Sequence, residues 1–186
     1  TWKKVTKKVP IGVIPCCVDL GHFSPEKISD EIKKEVKNKI GIADKDFVLS
    51  YIGSIGTWYL MHEMFLFLSC LLKTNPNAKF LLITQENKKN IFALAAKAGI
   101  QKEKIIIQPA SRSEVPALLS LSNLSVYFIK PSYSKRASSP VKMGEIMAMG
   151  IPTITNSGIG DSDSGVRPRL RPAEPCGLLR RLRQQH

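Results

Sequence analysis

Short apolar runs alternate with amphipathic segments along most of this chain, and this alternation constrains the fold more than any other feature. The predicted strands are apolar throughout, which is typical of parallel strands buried on both faces. They lie at residues 11–17, 47–52, 79–84, 104–108, 124–129 and 151–155, and the predicted helices at 25–39, 61–73, 87–98, 112–120 and 139–149. This order predicts an α/β fold, a Rossmann-like three-layer α/β/α sandwich around a mainly parallel sheet.

The length of 186 residues allows one domain of this kind. We assign residues 1–8 to an N-terminal linker, 9–161 to the domain and 162–186 to a tail. The longest apolar run is about half of the ~20 residues that a membrane helix needs, and we recognise no signal peptide. We therefore expect a soluble domain.

The formal net charge of +13 suggests a nucleic-acid binder until its distribution along the chain is considered. The last 21 residues, Val166 to His186, contain 6 Arg and no Lys, whereas the preceding residues contain 20 Lys and 2 Arg. Such a change is typical of a coding region of different base composition or of a shifted reading frame, so we exclude this stretch from the fold. A genuine basic tail that binds RNA or anionic lipid is the alternative.

The cysteines form no zinc motif. Cys16 and Cys17 are adjacent, which suits neither an ordinary disulfide nor the spacing of structural zinc ligands. We therefore expect the cysteines to be small buried hydrophobic residues, and we expect no metal.

The first candidate site is the loop that follows the predicted strand at 47–52. Gly53 and Gly56 would let the backbone approach a phosphate and direct free N–H groups at it. The loop has neither the complete G-x-G-x-x-G pattern nor a Walker lysine, so a tight turn between strand and helix explains it equally well.

The second candidate site is the start of the predicted helix at 139–149. Ser139 is the expected N-cap and Pro140 the first helical residue. Free amides at this helix end and nearby basic side chains would favour a diphosphate; these side chains are Lys135, Arg136 and Lys142. Lys142 and Glu145 are three residues apart and meet on one helix face, where the carboxylate could accept hydrogen bonds from a ribose diol. An ordinary surface ion pair is the alternative.

These residues belong to a longer pattern that resembles a known family. The stretch SSPVKMGEIMAMGIP at 138–152 resembles the donor-site motif of retaining GT-B glycosyltransferases, in the large family that includes sucrose and mannosyl transferases. Further segments resemble that family in the same chain order: VIPCCVD at 13–19 with Phe23, SYIGSIGTWY at 50–59, and EVPALL at 114–119 followed by SNLSVYFIKP at 122–131.

The resemblance covers residues 9–161 and implies one half of a GT-B fold, which binds a nucleotide-diphosphate sugar as donor substrate without a further cofactor or a metal. It implies that Glu145 binds the ribose hydroxyls. The other implied positions are Gly53, Ser54 and Gly56 at the diphosphate, Ser138 and Ser139 at the distal phosphate and sugar, and Ser111 and Arg112 at the nucleobase. No residue is assigned to catalysis.

Two departures from the family pattern affect these assignments. The family has a pair of spaced acids, and the earlier one falls here at Ala137, so the usual contact with the donor sugar is missing. The family also has basic residues around the loop that follows the strand at 47–52, here the glycine loop at residues 53–59. Ser54 and Tyr59 stand at these positions instead. We therefore expect other side chains to supply the charge for the phosphates, namely Lys135, Arg136 and Lys142, with Lys130 as a further candidate.

The family implies transfer of a sugar to a glycan or lipid-linked acceptor in bacterial surface polysaccharide synthesis, in the cytoplasm, with peripheral association at the inner face of the membrane left open. Such enzymes place the acceptor in a separate N-terminal domain. We recognise no such domain here, so we expect the isolated chain to be inactive. The alternatives are a non-enzymatic Rossmann-like module that binds nucleotide or protein, and a nucleic-acid binder that uses the basic tail. Because that tail lacks aromatic residues interleaved with basic ones, we expect no nucleic-acid partner.

Overall fold

A computed structural model describes residues 16–160 of the chain. Its five strands are β1 (Phe47–Ile52), β2 (Ala78–Ile83), β3 (Ile105–Gln108), β4 (Leu124–Val126) and β5 (Thr153–Ile154). Its helices are α1 (Asp30–Ile40), α2 (Met61–Thr74), α3 (Lys88–Lys97), α4 (Val115–Leu119) and α5 (Val141–Ala148), with short 3-10 helices at Pro25–Lys27, Lys102–Lys104 and Tyr133–Ala137.

All strand pairs are parallel, in the order β3-β2-β1-β4-β5. The register places Leu49 of β1 opposite Phe80 of β2 and Leu124 of β4. The chain first builds outward from β1 through β2 to β3 and then continues on the other side of β1 with β4 and β5. In such a sheet the direction of building reverses between β1 and β4, and ligands bind beyond the carboxyl ends of the strands at that point.

Helices flank the sheet and complete the Rossmann-like α/β/α sandwich that the alternation of elements predicts. Every residue of β1 from Val48 to Ile52 is buried, as expected of a central parallel strand covered on both faces. Large side chains from the helices and the sheet form one core; Phe65 of α2, for example, packs edge-to-face on Phe80 of β2. None of the helices between residues 16 and 160 has the length and apolar character required to span a bilayer.

Two predicted helix N-caps are wrong. The Ser24-Pro25 pair begins only a 3-10 turn, and α1 starts later because the Ser29 side chain accepts a hydrogen bond from the Ile32 amide. At α5 the N-cap is Pro140, which has no side chain able to cap. The Ser139 Oγ instead accepts a hydrogen bond from the Cys16 amide, at 3.2 Å.

Some predictions concern residues that are not described. The linker, the tail and all but the last two residues of the predicted strand at 11–17 lie outside residues 16–160. Those two, Cys16 and Cys17, are not in a strand, and both are exposed, so the prediction that the cysteines are buried is wrong for this pair.

Candidate functional site

Two neighbouring cavities lie at the carboxyl ends of the central strands. The first cavity has a volume of about 290 Å³ and is lined by Phe23, Ile52, Gly53, Ser54, Ile83, Thr84, Gln85, Glu86, Ala110, Arg112, Val115 and Glu145. The second cavity has a volume of about 360 Å³ and is lined by Trp58, Tyr59, Ile129, Lys135, Ser138, Ser139, Pro140, Val141 and Lys142. Both therefore lie where the strand order predicts a ligand site.

An ion pair between a buried carboxylate and an exposed arginine lines the first cavity. Glu145 of α5 is only 7% exposed, and its Oε1 accepts a hydrogen bond from Nη1 of Arg112 at 3.1 Å. The guanidinium also lies over the ring of Phe23, 5.4 Å from its centroid. Lys142 and Glu145 are close enough for the carboxylate to raise the pKa of the lysine, but no ion pair between them is found among residues 16–160. The ion-pair partner of this carboxylate is Arg112, from a distant loop.

His22 holds the backbone of Arg112 in place. The His22 Nε2 lies 2.9 Å from the carbonyl oxygen of Arg112, and because a carbonyl only accepts, Nε2–H is the donor. The same imidazole packs edge-to-face on Phe23, with ring centroids 4.9 Å apart. His22 thus positions the loop that carries the guanidinium.

The glycine loop forms another wall of the first cavity. Gly53 follows β1 directly and has a φ of 116°, a conformation that L side chains rarely adopt, and its amide donates to the Ile83 carbonyl at the end of β2. A Cβ at this position would lie 3.0 Å from the Nζ of Lys142. The loop then reaches Ile55, whose amide lies 3.4 Å from Oε1 of Glu86. Glycine at position 53 therefore leaves room for the end of the Lys142 side chain beside this loop.

Lys142 is the buried cation of the second cavity. It is 8% exposed, and its Nζ lies 3.6 Å from the ring centroid of Tyr59, 4.3 Å from that of Tyr51 and 6.0 Å from that of Tyr127. We call these three rings the tyrosine cage. Nζ also donates to the Tyr51 hydroxyl at 3.2 Å, while that hydroxyl donates to the Ser54 carbonyl at 2.6 Å.

Burial shifts the pKa values of both Lys142 and Tyr51. It lowers the pKa of Lys142 to about 7, because desolvation disfavours the ammonium more strongly than the nearby Glu145 charge favours it. Burial also raises the pKa of Tyr51, so the phenol keeps its proton. The amine of Lys142 is thus close to half protonated near neutral pH.

Backbone pairing fixes the wall of the second cavity. Tyr59 forms an antiparallel bridge with Ile129, and the amides of Leu60 and Lys130 donate to carbonyls of the opposite segment at 2.9 and 2.7 Å. The side chain of Asn156 bonds both the amide and the carbonyl of Ile129, each at 2.9 Å. Beside this wall, Lys135 Nζ lies 4.7 Å from the ring centroid of Trp58.

The predicted site residues divide into three groups. The first cavity is lined by Gly53, Ser54, Arg112 and Glu145, and the second by Lys135, Ser138, Ser139 and Lys142. Gly56, Ser111 and Arg136 line neither of these cavities and are exposed. Ser111 is bonded to Glu114 Oε2 through both its amide and its hydroxyl, at 2.8 and 2.7 Å, and these bonds lower the pKa of Glu114. The ligand roles of all these residues stay predictions.

Sequence reasoning missed the aromatic part of the site. Tyr51 and Tyr127 stand in apolar segments, where an aromatic residue is ordinarily explained by the core. One clue was available: Tyr51 lies near the end of β1 and Tyr127 directly after β4, and the strand order reverses between these two strands. Gln85 and Glu86 were not singled out as site residues, although the loop at residues 84–87 was expected near the site because it follows β2 at the same edge of the sheet.

Together the cavities present two different chemical surfaces. The first combines apolar walls, such as Ile52, Ile83 and Val115, with a buried carboxylate, and so suits a ligand that has a flat apolar part and hydroxyl donors. The second holds two lysines, two serine hydroxyls and the amino end of α5, and its lining includes no carboxylate. This composition suits an anion.

The sequence matches the family model described as "Glycosyl transferases group 1" over residues 32–167. Among curated proteins, no sequence matches this chain.

The fold matches solved structures of glycosyltransferases. The structure of WaaG, a glycosyltransferase involved in lipopolysaccharide biosynthesis, matches 88% of this chain with a TM-score of 0.68 and 17% identity. Anabaena HepE in complex with UDP-glucose matches 90% of the chain with a TM-score of 0.62 and 15% identity. The C-terminal domain of the group 1 family protein LpcC from Francisella tularensis matches 81% with a TM-score of 0.59 and 18% identity.

The matches differ in how much of the other chain they cover. The aligned region is 43% of the WaaG chain and 45% of the HepE chain, but 75% of the LpcC domain. The chain thus spans less than half the length of the first two structures. These likenesses confirm the Rossmann-like fold of one half of a GT-B enzyme, and the family model covers most of the sequence. The chain belongs to the group 1 glycosyl transferases.

Proposed function

We propose that this chain binds the nucleotide-diphosphate sugar of a glycosyltransferase and forms the donor half of the enzyme. The observation that supports this most directly is that α5 carries two buried, oppositely charged side chains, Glu145 and Lys142, one to each cavity. A ligand that extends through both cavities would need hydroxyl donors at one end and negative charge at the other, as a nucleotide sugar has.

The first cavity would take the nucleoside. Its apolar walls can cover a base, and Glu145 can accept hydrogen bonds from both hydroxyls of a ribose, because a carboxylate offers two oxygens. The guanidinium of Arg112 occupies only one of these oxygens at hydrogen-bond distance. Arg112 can therefore hold the carboxylate in place while the other oxygen binds the sugar.

The second cavity would take the diphosphate and the transferred sugar. Lys142 and Lys135 supply positive charge, and the first amides of α5 and the hydroxyls of Ser138 and Ser139 supply further donors. In this arrangement the charge that the glycine loop lacks comes from the helix start and from the 3-10 helix before it.

We also propose that the sugar passes to a glycan or lipid-linked acceptor during synthesis of a bacterial surface polysaccharide, on the cytoplasmic side of the membrane. Support comes from WaaG, which is involved in lipopolysaccharide biosynthesis. Transfer requires a positioned acceptor and a cleft that excludes water. We expect the acceptor to be bound by a further domain, as more than half of the WaaG chain lies outside the matched region.

The nucleotide role is tested by titrating the full chain with UDP, GDP and ADP and with the 2′-deoxy form of whichever binds best. We expect the ribonucleotide to bind more tightly than the deoxy form. Glu145→Ala should weaken ribonucleotide binding roughly 10- to 100-fold, because a hydrogen bond to a charged group contributes about 1.5–3 kcal/mol. The preference for ribose should disappear in this variant.

Glu35→Ala is the matched control, because it removes an exposed carboxylate of α1 and should leave binding unchanged. Unchanged binding in Glu145→Ala would contradict the ribose role. Duplex DNA that binds as well as any nucleotide would favour a nucleic-acid binder instead.

The second test measures donor hydrolysis and sugar transfer by the chain alone. We expect neither above background, because the matched region is less than half of the WaaG chain and we expect the acceptor to be bound outside it. Robust turnover by this polypeptide would contradict the assignment as a donor half and would require a complete active site within it.

A further inference from the structure

Lys142 lies in surroundings that are unusual for a lysine. A buried ammonium is costly unless a counter-charge or several hydrogen bonds compensate it. None of the ion pairs found between residues 16 and 160 includes Lys142. Its contacts are the rings of the tyrosine cage and the Tyr51 hydroxyl, which are neutral groups. These contacts stabilise the ammonium only partly, through the negative faces of the rings.

The charged and titratable groups around Lys142 come from five parts of the chain. Tyr51 lies on β1, Tyr59 in the glycine loop and Tyr127 directly after β4, and burial raises the pKa of Tyr51 and of Tyr59, so neither ring becomes a counter-ion. On its own helix, Glu145 raises the pKa of Lys142, but less than burial lowers it. The remaining charged group in the second cavity, Lys135, has the same sign as the ammonium.

We propose that Lys142 is the main anchor of the donor diphosphate and that its amine takes up a proton as the donor binds. This inference rests on the proposed function, which supplies the diphosphate. The proton comes from solvent and converts the amine to an ammonium, and no covalent bond changes. Tyr51 Oη accepts one of the three N–H groups of the ammonium, and the phosphate oxygens accept the others.

The consequence is a donor affinity that falls as pH rises above neutrality. Below about pH 7 the free protein already carries the proton, so affinity changes little. Above that pH each bound donor requires one proton, and the dissociation constant should rise up to about tenfold per pH unit. The donor itself does not titrate in this range, because each of its phosphates is a diester, unlike a monoester with a second pKa of about 6.

Calorimetry counts the protons directly. The full chain is titrated at about pH 8 with UDP-glucose, GDP-mannose and ADP-glucose, in two buffers that differ in ionisation enthalpy. For the donor that binds most tightly we expect an uptake that approaches one proton, and much less uptake at about pH 6. This measurement uses the unmodified protein and so does not depend on whether a variant folds.

Variants test whether the proton that is taken up binds to the Lys142 amine. Lys142→Met should weaken donor binding at least tenfold at about pH 6 and abolish the uptake, whereas Lys34→Met removes an exposed lysine and should change neither. Tyr51→Phe keeps the ring but removes the acceptor for Nζ, so it should move the onset of uptake to lower pH.

Three outcomes would overturn the inference. Donor binding without proton uptake at about pH 8, or uptake that persists in Lys142→Met, contradicts it while leaving the proposed function intact. If no nucleotide sugar binds at any pH, the proposed function fails and this inference fails with it.

Discussion

Glu145 and Lys142 lie three residues apart on α5, and both are less than 10% exposed, yet their surroundings differ in kind. The carboxylate pairs with the Arg112 guanidinium at 3.1 Å. His22 holds the backbone of Arg112, and the guanidinium lies over the ring of Phe23. The amine has three neutral rings and one hydroxyl. One charge is compensated within the fold, and the other is not.

This difference indicates what each cavity should be sensitive to. Removing the cation that pairs with a buried carboxylate leaves that carboxylate uncompensated, so the first cavity should respond to changes around Arg112. An amine in a neutral cage responds to pH and to an added anion. We therefore expect substitutions near Glu145 to act mainly by displacing its ion-pair partner. Substitutions near Lys142 should act mainly by changing the charge and protonation of the amine.

The largest expected effect is on the pH dependence of stability. Because the pKa of Lys142 is lowered to about 7 in the folded protein, from an ordinary value of 10.5, the unfolded chain binds one more proton between these values. The stability that the neutral amine contributes is complete above the unfolded pKa and is lost as pH falls to about 7. The free energy of unfolding should thus rise with pH by up to about 1.4 kcal/mol per unit in this window.

Lys142→Met removes this contribution, and urea unfolding at about pH 7 and about pH 9 measures it. The variant should gain stability relative to the unmodified protein at the lower pH and lose that advantage at the higher one. Lys34→Met is the control, since its lysine is exposed. Parallel pH profiles for the unmodified protein and Lys142→Met would mean that the amine is charged in the folded state throughout, and the contrast between the cavities would weaken.

The next effect concerns Gly53, which lines the first cavity and lies against the end of the Lys142 side chain. Gly53→Ala should destabilise the protein by about 1–3 kcal/mol, because a φ of 116° is strained for any L residue and the new Cβ would press on Lys142 Nζ at 3.0 Å. Gly56→Ala is a matched control in the same loop: nothing lies within 4 Å of its Cβ, and its φ is not positive. It should change stability by less than about 0.5 kcal/mol. Equal effects of the two variants in urea unfolding would contradict this role for Gly53.

The fold class could be predicted from the sequence because each apolar strand is recognisable from its own residues. The predicted strand at 47–52 has the bounds of β1, since a strand buried on both faces is apolar without interruption. The start of α1 was predicted wrongly because Ser24 and Ser29 are both good N-caps in isolation. Only the folded chain shows that the turn after Ser24 stops at Lys27 and that Ser29 provides the cap.

The site was only partly predictable, for a related reason. Local spacing drew attention to Glu145 and Lys142, both of which are buried, but it paired them with each other, because the i,i+3 rule considers one helix alone. The pairing with Arg112 depends on contacts from residues 22 and 23, which are far away in sequence. The tyrosine cage was hidden because Tyr51 and Tyr127 are also acceptable core residues.

A smaller effect is expected from the residue that positions Arg112. His22→Ala removes the hydrogen bond to the Arg112 carbonyl and should weaken nucleotide binding about three- to tenfold, the equivalent of about 0.5–1.5 kcal/mol. His62→Ala is the control, because His62 is exposed at the start of α2. The loss should shrink in an Arg112→Ala background if His22 acts through the guanidinium. A loss of the same size in that background would assign His22 a different role.

The smallest expected effect is that of Lys135, the half-buried counterpart of Lys142 in the second cavity. Its contact with Trp58, which is 45% exposed, is worth about 0.5–1 kcal/mol at such a site, and solvent and salt screen its charge. Lys135→Met should therefore weaken donor binding only about two- to threefold and should lose even this effect at high salt. Arg136→Met, in the same 3-10 helix but outside both cavities, should weaken it less. If Lys135→Met instead weakens donor binding as much as Lys142→Met does, the negative charge of the donor is shared along the cavity. Lys142 in its tyrosine cage would then be one of several groups that bind this charge, and the contrast between the two cavities would no longer depend on it.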